Sequence, residues 1–170
     1  QEAWSEDFFH NKGFALFIQS SLHYDYNTFG WRKEDPKGRE EIKNTFNEVC
    51  KKYNIDENQV FISGISAGAI MALDIAINNI IPIKGCIPIC TGIPVNFSKE
   101  SIINAKKRRL KIYVIDGEKD TYFIEDRKIL REYFTETEVD FIYESVKDMK
   151  HEYPRDFQSF ITKALHFFER

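Results

Sequence analysis

The apolar positions of this chain change period along its length. Short, nearly continuous apolar runs occur at Phe14–Ile18, Val60–Ser63, Ile83–Cys90, Leu110–Ile115 and Val139–Tyr143. Runs of that length read as strands buried on both faces, as in a parallel sheet. Between them the spacing turns helical. Ile42, Phe46, Val49, Cys50 and Tyr53 share one face of a helix predicted over 40–53. Ala69–Ile77 is apolar nearly all round, which predicts a buried helix. Residues 99–109 form a mostly polar helical stretch. Phe123, Arg127, Leu130 and Phe134 mark a helix over roughly 121–135. Phe157, Phe160, Ile161, Ala164, Leu165 and Phe168 mark an amphipathic helix reaching the end. The alternation predicts an α/β fold, a mostly parallel sheet with helices on both faces. Ligands then bind beyond the C-terminal ends of the strands.

At 170 residues the chain fits a single domain, 1–170, with a core of its own. A hydrophobic share of 42% and an aromatic share of 15% exclude a disordered chain. A net charge of −3 gives no general attraction to nucleic acid. The local run Lys106, Lys107, Arg108, Arg109 reads as a solvated helix end rather than a phosphate patch. Cys50, Cys86 and Cys90 are too few and too odd for a disulfide framework and read as reduced, buried thiols. No Cys/His ligand spacing appears, so neither metal nor organic cofactor is expected. No run is long and apolar enough to span a bilayer, and no signal peptide is visible, so a cytoplasmic setting is expected.

The chemistry concentrates in "VFISGISAGAIM", residues 60–71. A strand that turns sharply into a helix crowds the turn, and Gly64 and Gly68 are expected to remove the side chains that would clash there. Ser66 is then presented at a helix N-terminus, the G-x-S-x-G arrangement of a nucleophilic serine. The helix end also aims N–H groups at developing negative charge. A hydroxyl needs a base. Of His10, His23, His151 and His166, His151 follows the last strand, in a loop at the ligand-binding end. His23 follows a strand and keeps a possible substrate-side role, while His10 and His166 read as ordinary helix residues. The acid is Asp116 or Asp120 in "IYVIDGEKDTYF"; loop reach beyond Gly117 favours Asp120. The order Ser66, Asp120, His151 is that of the α/β-hydrolase triad.

The sequence resembles the small serine esterases of the phospholipase/carboxylesterase type. "KKYNIDENQVFISGISAG" resembles their helix, strand and elbow, "IDGEKD" their acid loop and "HEYP" their histidine loop. "FIQSS" followed by "FGW" resembles their strand and tryptophan segment. The elbow "SAGAIMA" is also similar to that of polyhydroxybutyrate-depolymerase-like and feruloyl esterases. The resemblance implies a serine esterase acting on a small-molecule ester or thioester through an acyl-enzyme. The Ala67 backbone N–H would then be one oxyanion donor. Family members carry an earlier strand ending in a His-Gly segment that supplies the second donor. None precedes Gly64, and the first residue is Gln1, so the chain is expected to lack that strand. Loss of one donor typically costs about 10²–10³ in rate. Ile93, Pro94, Val95 and Phe97 are candidates for an acyl pocket or for plain core, and Tyr122 and Phe123 are similar candidates. A non-catalytic binding domain on the same fold, and a peptidase using the same three residues, remain alternatives.

Overall fold

A computed structural model of the chain describes residues 14–25 and 28–170. A short antiparallel pair, β1 (His23–Asp25) and β2 (Thr28–Phe29), precedes α1 (Lys37–Lys52). The remainder alternates: β3 (Phe61–Ile65), α2 (Ala67–Ile77), β4 (Gly85–Ile89), α3 (Lys99–Lys107), β5 (Lys111–Gly117), α4 (Ile124–Thr137), β6 (Asp140–Val146) and α5 (Phe157–Glu169). The last four strands form one parallel sheet in the order β3-β4-β5-β6.

Alternation along the central strands sorts the core into two layers. Cys86, Ile112 and Val114 face one side, with Leu73 and Ala76 of α2, Ile102 of α3, and Leu130 and Phe134 of α4. Ile87, Ile89, Tyr113 and Ile115 face the other, against Phe157, Ile161, Ala164 and Phe168 of α5. Gly85 lets Phe168 lie directly on β4, since a Cβ there would sit 2.5 Å from its ring. The near-uniform apolar surface of α2 is explained by burial from Ala69 to Ile77. Its one charge, Asp74, meets Arg39 of α1 in a forked ion pair at 2.5 and 2.6 Å.

One strand keeps a proline, and one expected strand does not form. Pro88 is tolerated inside β4, where it lacks the N–H of a ladder donor; the register with β5 holds at Gly85, Cys86 and Ile89 and skips the two residues between. Phe14–Ile18 is not a strand. It runs as irregular chain with Phe14 69% and Phe17 47% exposed. β3 ends the sheet, and no described strand lies along its outer side. An apolar run without a ladder partner has nowhere to place its backbone N–H and C=O groups except in water. His10 lies outside the described residues.

Candidate active site

β3 passes into α2 through Ser66, whose backbone is held at φ 54° and ψ −122°. A non-glycine residue there stores roughly 1–3 kcal/mol and persists only where its surroundings dictate it. They do so from both sides. The Ser66 N–H continues the sheet ladder to the Ile89 carbonyl at 3.0 Å, while the Ser66 carbonyl accepts the first helical bonds from Ala69 and Ile70 at 2.9 and 3.0 Å. A Cβ on Gly64 would collide with the Gly68 carbonyl, so the first glycine is a steric requirement. The second is not: a Cβ on Gly68 would meet only the Trp31 indole, at 3.7 Å, an ordinary contact. The expectation that both glycines relieve crowding is corrected on this point. Ala67 opens α2, where N–H groups have no acceptor within the helix.

Asp120 and His151 are brought together, with Nδ1 of the imidazole 2.8 Å from Oδ2. The loops carrying them are laced to each other. Glu118 N–H donates to the Val146 carbonyl and Lys119 N–H to the Met149 carbonyl, at 3.0 and 2.9 Å. Gly117 permits this approach, because a Cβ there would overlap the carbonyls of Met149 and Lys150. Oδ1 of Asp120 accepts the Tyr122 N–H at 2.8 Å. Burial works against an ionised Asp120, but the bonds from His151 and Tyr122 outweigh it and hold the carboxyl below its ordinary value.

The histidine loop also crosses the end of β4. Cys90 has φ 49°, and its Sγ lies 3.8 and 3.6 Å from the carbonyls of Lys150 and Glu152. Ser66 is bonded to Ile89, the residue before Cys90, so Ser66 and His151 border the same strand end. Among the described residues no hydrogen bond joins Ser66 Oγ to His151. Donor atoms of Cys90, Asp120 and His151 lie within 4.8 Å of one another. Burial pushes the Cys90 thiol up to about 12, so it is a neutral group at ordinary pH, and Nδ1 already faces Asp120. Those donors suit a hydrogen-bonded acid–imidazole pair better than a metal.

Asp116 stands elsewhere. Its side chain is buried at the end of β5, accepts the Tyr143 hydroxyl, and has Arg127 Nη1 3.1 Å from Oδ1. Burial raises its carboxyl, and Tyr143 and Arg127 offset this only in part. His23 sits in β1 with its ring 4.5 Å from that of Phe29, and His166 is exposed on α5. Tyr122 is 60% exposed, its ring 4.5 Å from the His151 ring. Ile93 is half-buried against the α3–α4 core, its N–H donating to Asp126 Oδ2 at 3.1 Å, and Pro94 is buried. Arg127 and Asp126 were not legible as site neighbours. The available signal was a charge, Arg127, inside the apolar stripe Phe123, Leu130, Phe134.

No helix among the described residues is long and apolar enough to cross a membrane. A search of curated protein sequences finds no match. Among solved structures, an uncharacterized protein from Bacillus cereus ATCC 10987 superposes with a TM-score of 0.79 at 25% identity, covering 89% of this chain and 49% of that one. The chain therefore spans about half the length of that protein. The Bacillus cereus carboxylesterase gives a TM-score of 0.66 at 11% identity, over 89% of this chain and 73% of that one. Arabidopsis thaliana SOBER1 gives 0.61 at 17%, over 84% and 68%. These two likenesses are of fold. The family model described as Phospholipase/Carboxylesterase matches residues 28–168. With an α/β-hydrolase sheet, a strained serine between strand and helix, and a sequence match over most of its length, the chain belongs to the phospholipase/carboxylesterase family.

Proposed function

We propose that the protein is a serine hydrolase that cleaves carboxylic esters or thioesters through an acyl-enzyme, with Ser66 as nucleophile, His151 as base and Asp120 as the acid that orients it. The observation that carries this reading is the 2.8 Å contact between His151 Nδ1 and Asp120 Oδ2, at the same end of the sheet as the strained Ser66. In this reading Nε2 of His151 takes the Ser66 proton as Oγ attacks the carbonyl carbon. The tetrahedral oxyanion meets the Ala67 N–H at the start of α2. His151 returns the proton to the leaving alcohol or thiol, then activates the water that releases the acid. Asp120 keeps the proton on Nδ1 and stabilises the imidazolium. Among the described residues no strand lies along the outer side of β3, and the Ala67 N–H is the one oxyanion donor this reading assigns. Tyr122, against the imidazole face, and Ile93 and Pro94, on the loop after β4, border the substrate.

A fluorophosphonate probe is expected to label the protein, with the adduct on Ser66 by peptide mass spectrometry, and Ser66→Ala is expected to lose both labelling and turnover of p-nitrophenyl acetate. Labelling that survives Ser66→Ala would place the nucleophile elsewhere. The nearest decoy, Ser63, has its hydroxyl engaged with the Ile87 carbonyl at 2.8 Å. No labelling and no turnover would favour a binding domain on a hydrolase fold. Faster cleavage of amides than of esters would make it a peptidase.

A further inference from the structure

Asp120 has every polar group occupied, and the last of them points to a residue the mechanism does not use. Its N–H reaches the Gly117 carbonyl at 3.1 Å, its two carboxylate oxygens face Tyr122 N–H and His151, and its carbonyl accepts Nη2 of Arg127 at 2.6 Å. Nη1 of the same guanidinium lies 3.1 Å from Asp116 Oδ1 and 3.7 Å from Asp120 Oδ2. Arg127 is only 12% exposed and Asp116 2%. Tyr143 of β6 closes the group by donating its hydroxyl to the other oxygen of Asp116, and Arg131 lies 4.7 Å over the Tyr143 ring. The charged and titratable groups facing this cluster are thus Asp116 from β5, Arg127 and Arg131 from α4, Tyr143 from β6, Cys90 from the end of β4, and His151 from the loop after β6.

We infer that Arg127 is a positioning residue: anchored on Asp116, it fixes the main chain of Asp120 so that Oδ2 meets Nδ1 of His151. This rests on Asp120 and His151 being the acid and the base. Nη2 makes a hydrogen bond to the Asp120 carbonyl, while Nη1 meets Asp116 Oδ1 as an ion pair without hydrogen-bond alignment. One guanidinium spans a buried carboxylate on the strand and a carbonyl on the loop beyond it, a reach that a point-charge ammonium covers on one side only. A buried charge pair is also poor evidence of stabilisation by itself, because desolvation cancels much of the attraction. Asp116, the acid that does not contact His151, thereby acquires a role as the anchor of the acid that does.

Two variants test this. Arg127→Lys keeps the charge and loses the fork. The double variant Asp116→Asn/Arg127→Met removes the buried charge pair together, so no carboxylate is left uncompensated. Two readouts apply: kcat and KM on p-nitrophenyl acetate, and the low-field proton resonance of the His151 Nδ1–H, which reports the bond to Asp120 whether or not the protein turns over. Both variants are expected to keep a cooperative melt, to lose about 10–100-fold in kcat with KM nearly unchanged, and to lose or broaden the low-field resonance. A native-like resonance and kcat in both would overturn the inference. So would failure of both to fold, which would make Arg127 a support of the fold. A resonance lost on substitution in a protein that hydrolyses no ester would keep the positioning role and remove the esterase reading. Ester turnover that both variants retain in full would do the reverse.

Discussion

Asp116 and Asp120 leave the same strand end for different environments, and the difference sets their chemistry. Burial dominates at Asp116 and raises its carboxyl, whereas bonds from His151 and Tyr122 win at Asp120 and lower it. Asp120→Asn is therefore expected to cripple turnover far more than Asp116→Asn. The amide would favour the wrong imidazole tautomer, a defect worth roughly 10⁴ in a serine protease. Initial rates on one ester for both variants decide it, and a dead Asp116→Asn beside an active Asp120→Asn would reverse the assignment. The pH dependence carries a sign as well. A carboxyl lowered in the folded state contributes stability that is present above its unfolded value, about 3.9, and is lost as pH falls through the folded value. Asp116, raised, contributes in the opposite sense: most below the unfolded value, and less as pH rises through its folded one. Wild type is expected to lose stability relative to Asp120→Asn on acidification below about pH 4, as read from urea midpoints across pH. A constant difference between the two would show that Asp120 is not held ionised by the fold.

The turn from β3 into α2 carries the proposed nucleophile, and its two glycines are not equivalent. At Gly64 a methyl group meets backbone that cannot move without parting β3 from α2. Gly64→Ala is expected to destabilise by about 1–3 kcal/mol or more, as overpacking does. Gly68 lies inside α2 with room beside Trp31. Gly68→Ala is expected to be neutral or to gain up to about 1 kcal/mol from helix propensity. Equal losses at the two sites in denaturant melts would show that Trp31 cannot yield. The sequence pattern found the elbow, the order of strands and helices, and the apolar α2. It could not rank the glycines, because Gly64 is crowded by a carbonyl that α2 brings back over it. It also read the basic run at the end of α3 as a solvated helix end. Arg108 instead donates to the Ala76 and Ile77 carbonyls at 3.0 and 2.8 Å, closing the C-terminal end of α2.

At the scale of the molecule two features bear on association: the outer side of β3, along which no described strand lies, and the exposed apolar residues of 14–17. Among the described residues no strand pairs with the outer side of β3 or of β6, and Phe14, Leu16 and Phe17 are exposed. Free edges of this kind pair with other chains. The 170-residue chain alone is expected to associate with rising concentration, measured by sedimentation velocity, and Phe14→Glu/Phe17→Glu is expected to weaken that association. A stable monomer at all concentrations, with ordinary esterase turnover, would show that β3 is protected and that the oxyanion hole is complete within these residues.

The sequence by itself determined what depends on neighbours along the chain. Periodicity set the alternation of strands and helices, and the Gly64–Ser66–Gly68 spacing marked the turn between β3 and α2. Chain order then proposed Asp120 and His151, which lie on separate loops and meet at 2.8 Å. Tertiary structure alone decided the rest. Phe14–Ile18 has a strand's composition but no strand, because ladder bonds come from a partner and not from the residue's own neighbours. Arg127 looked like a helix-face residue, because its partners Asp116 and Asp120 come within its reach only when α4 folds back beside the end of β5. Burial and electrostatics act through space, and they assigned Asp120 to the imidazole and Asp116 to the guanidinium.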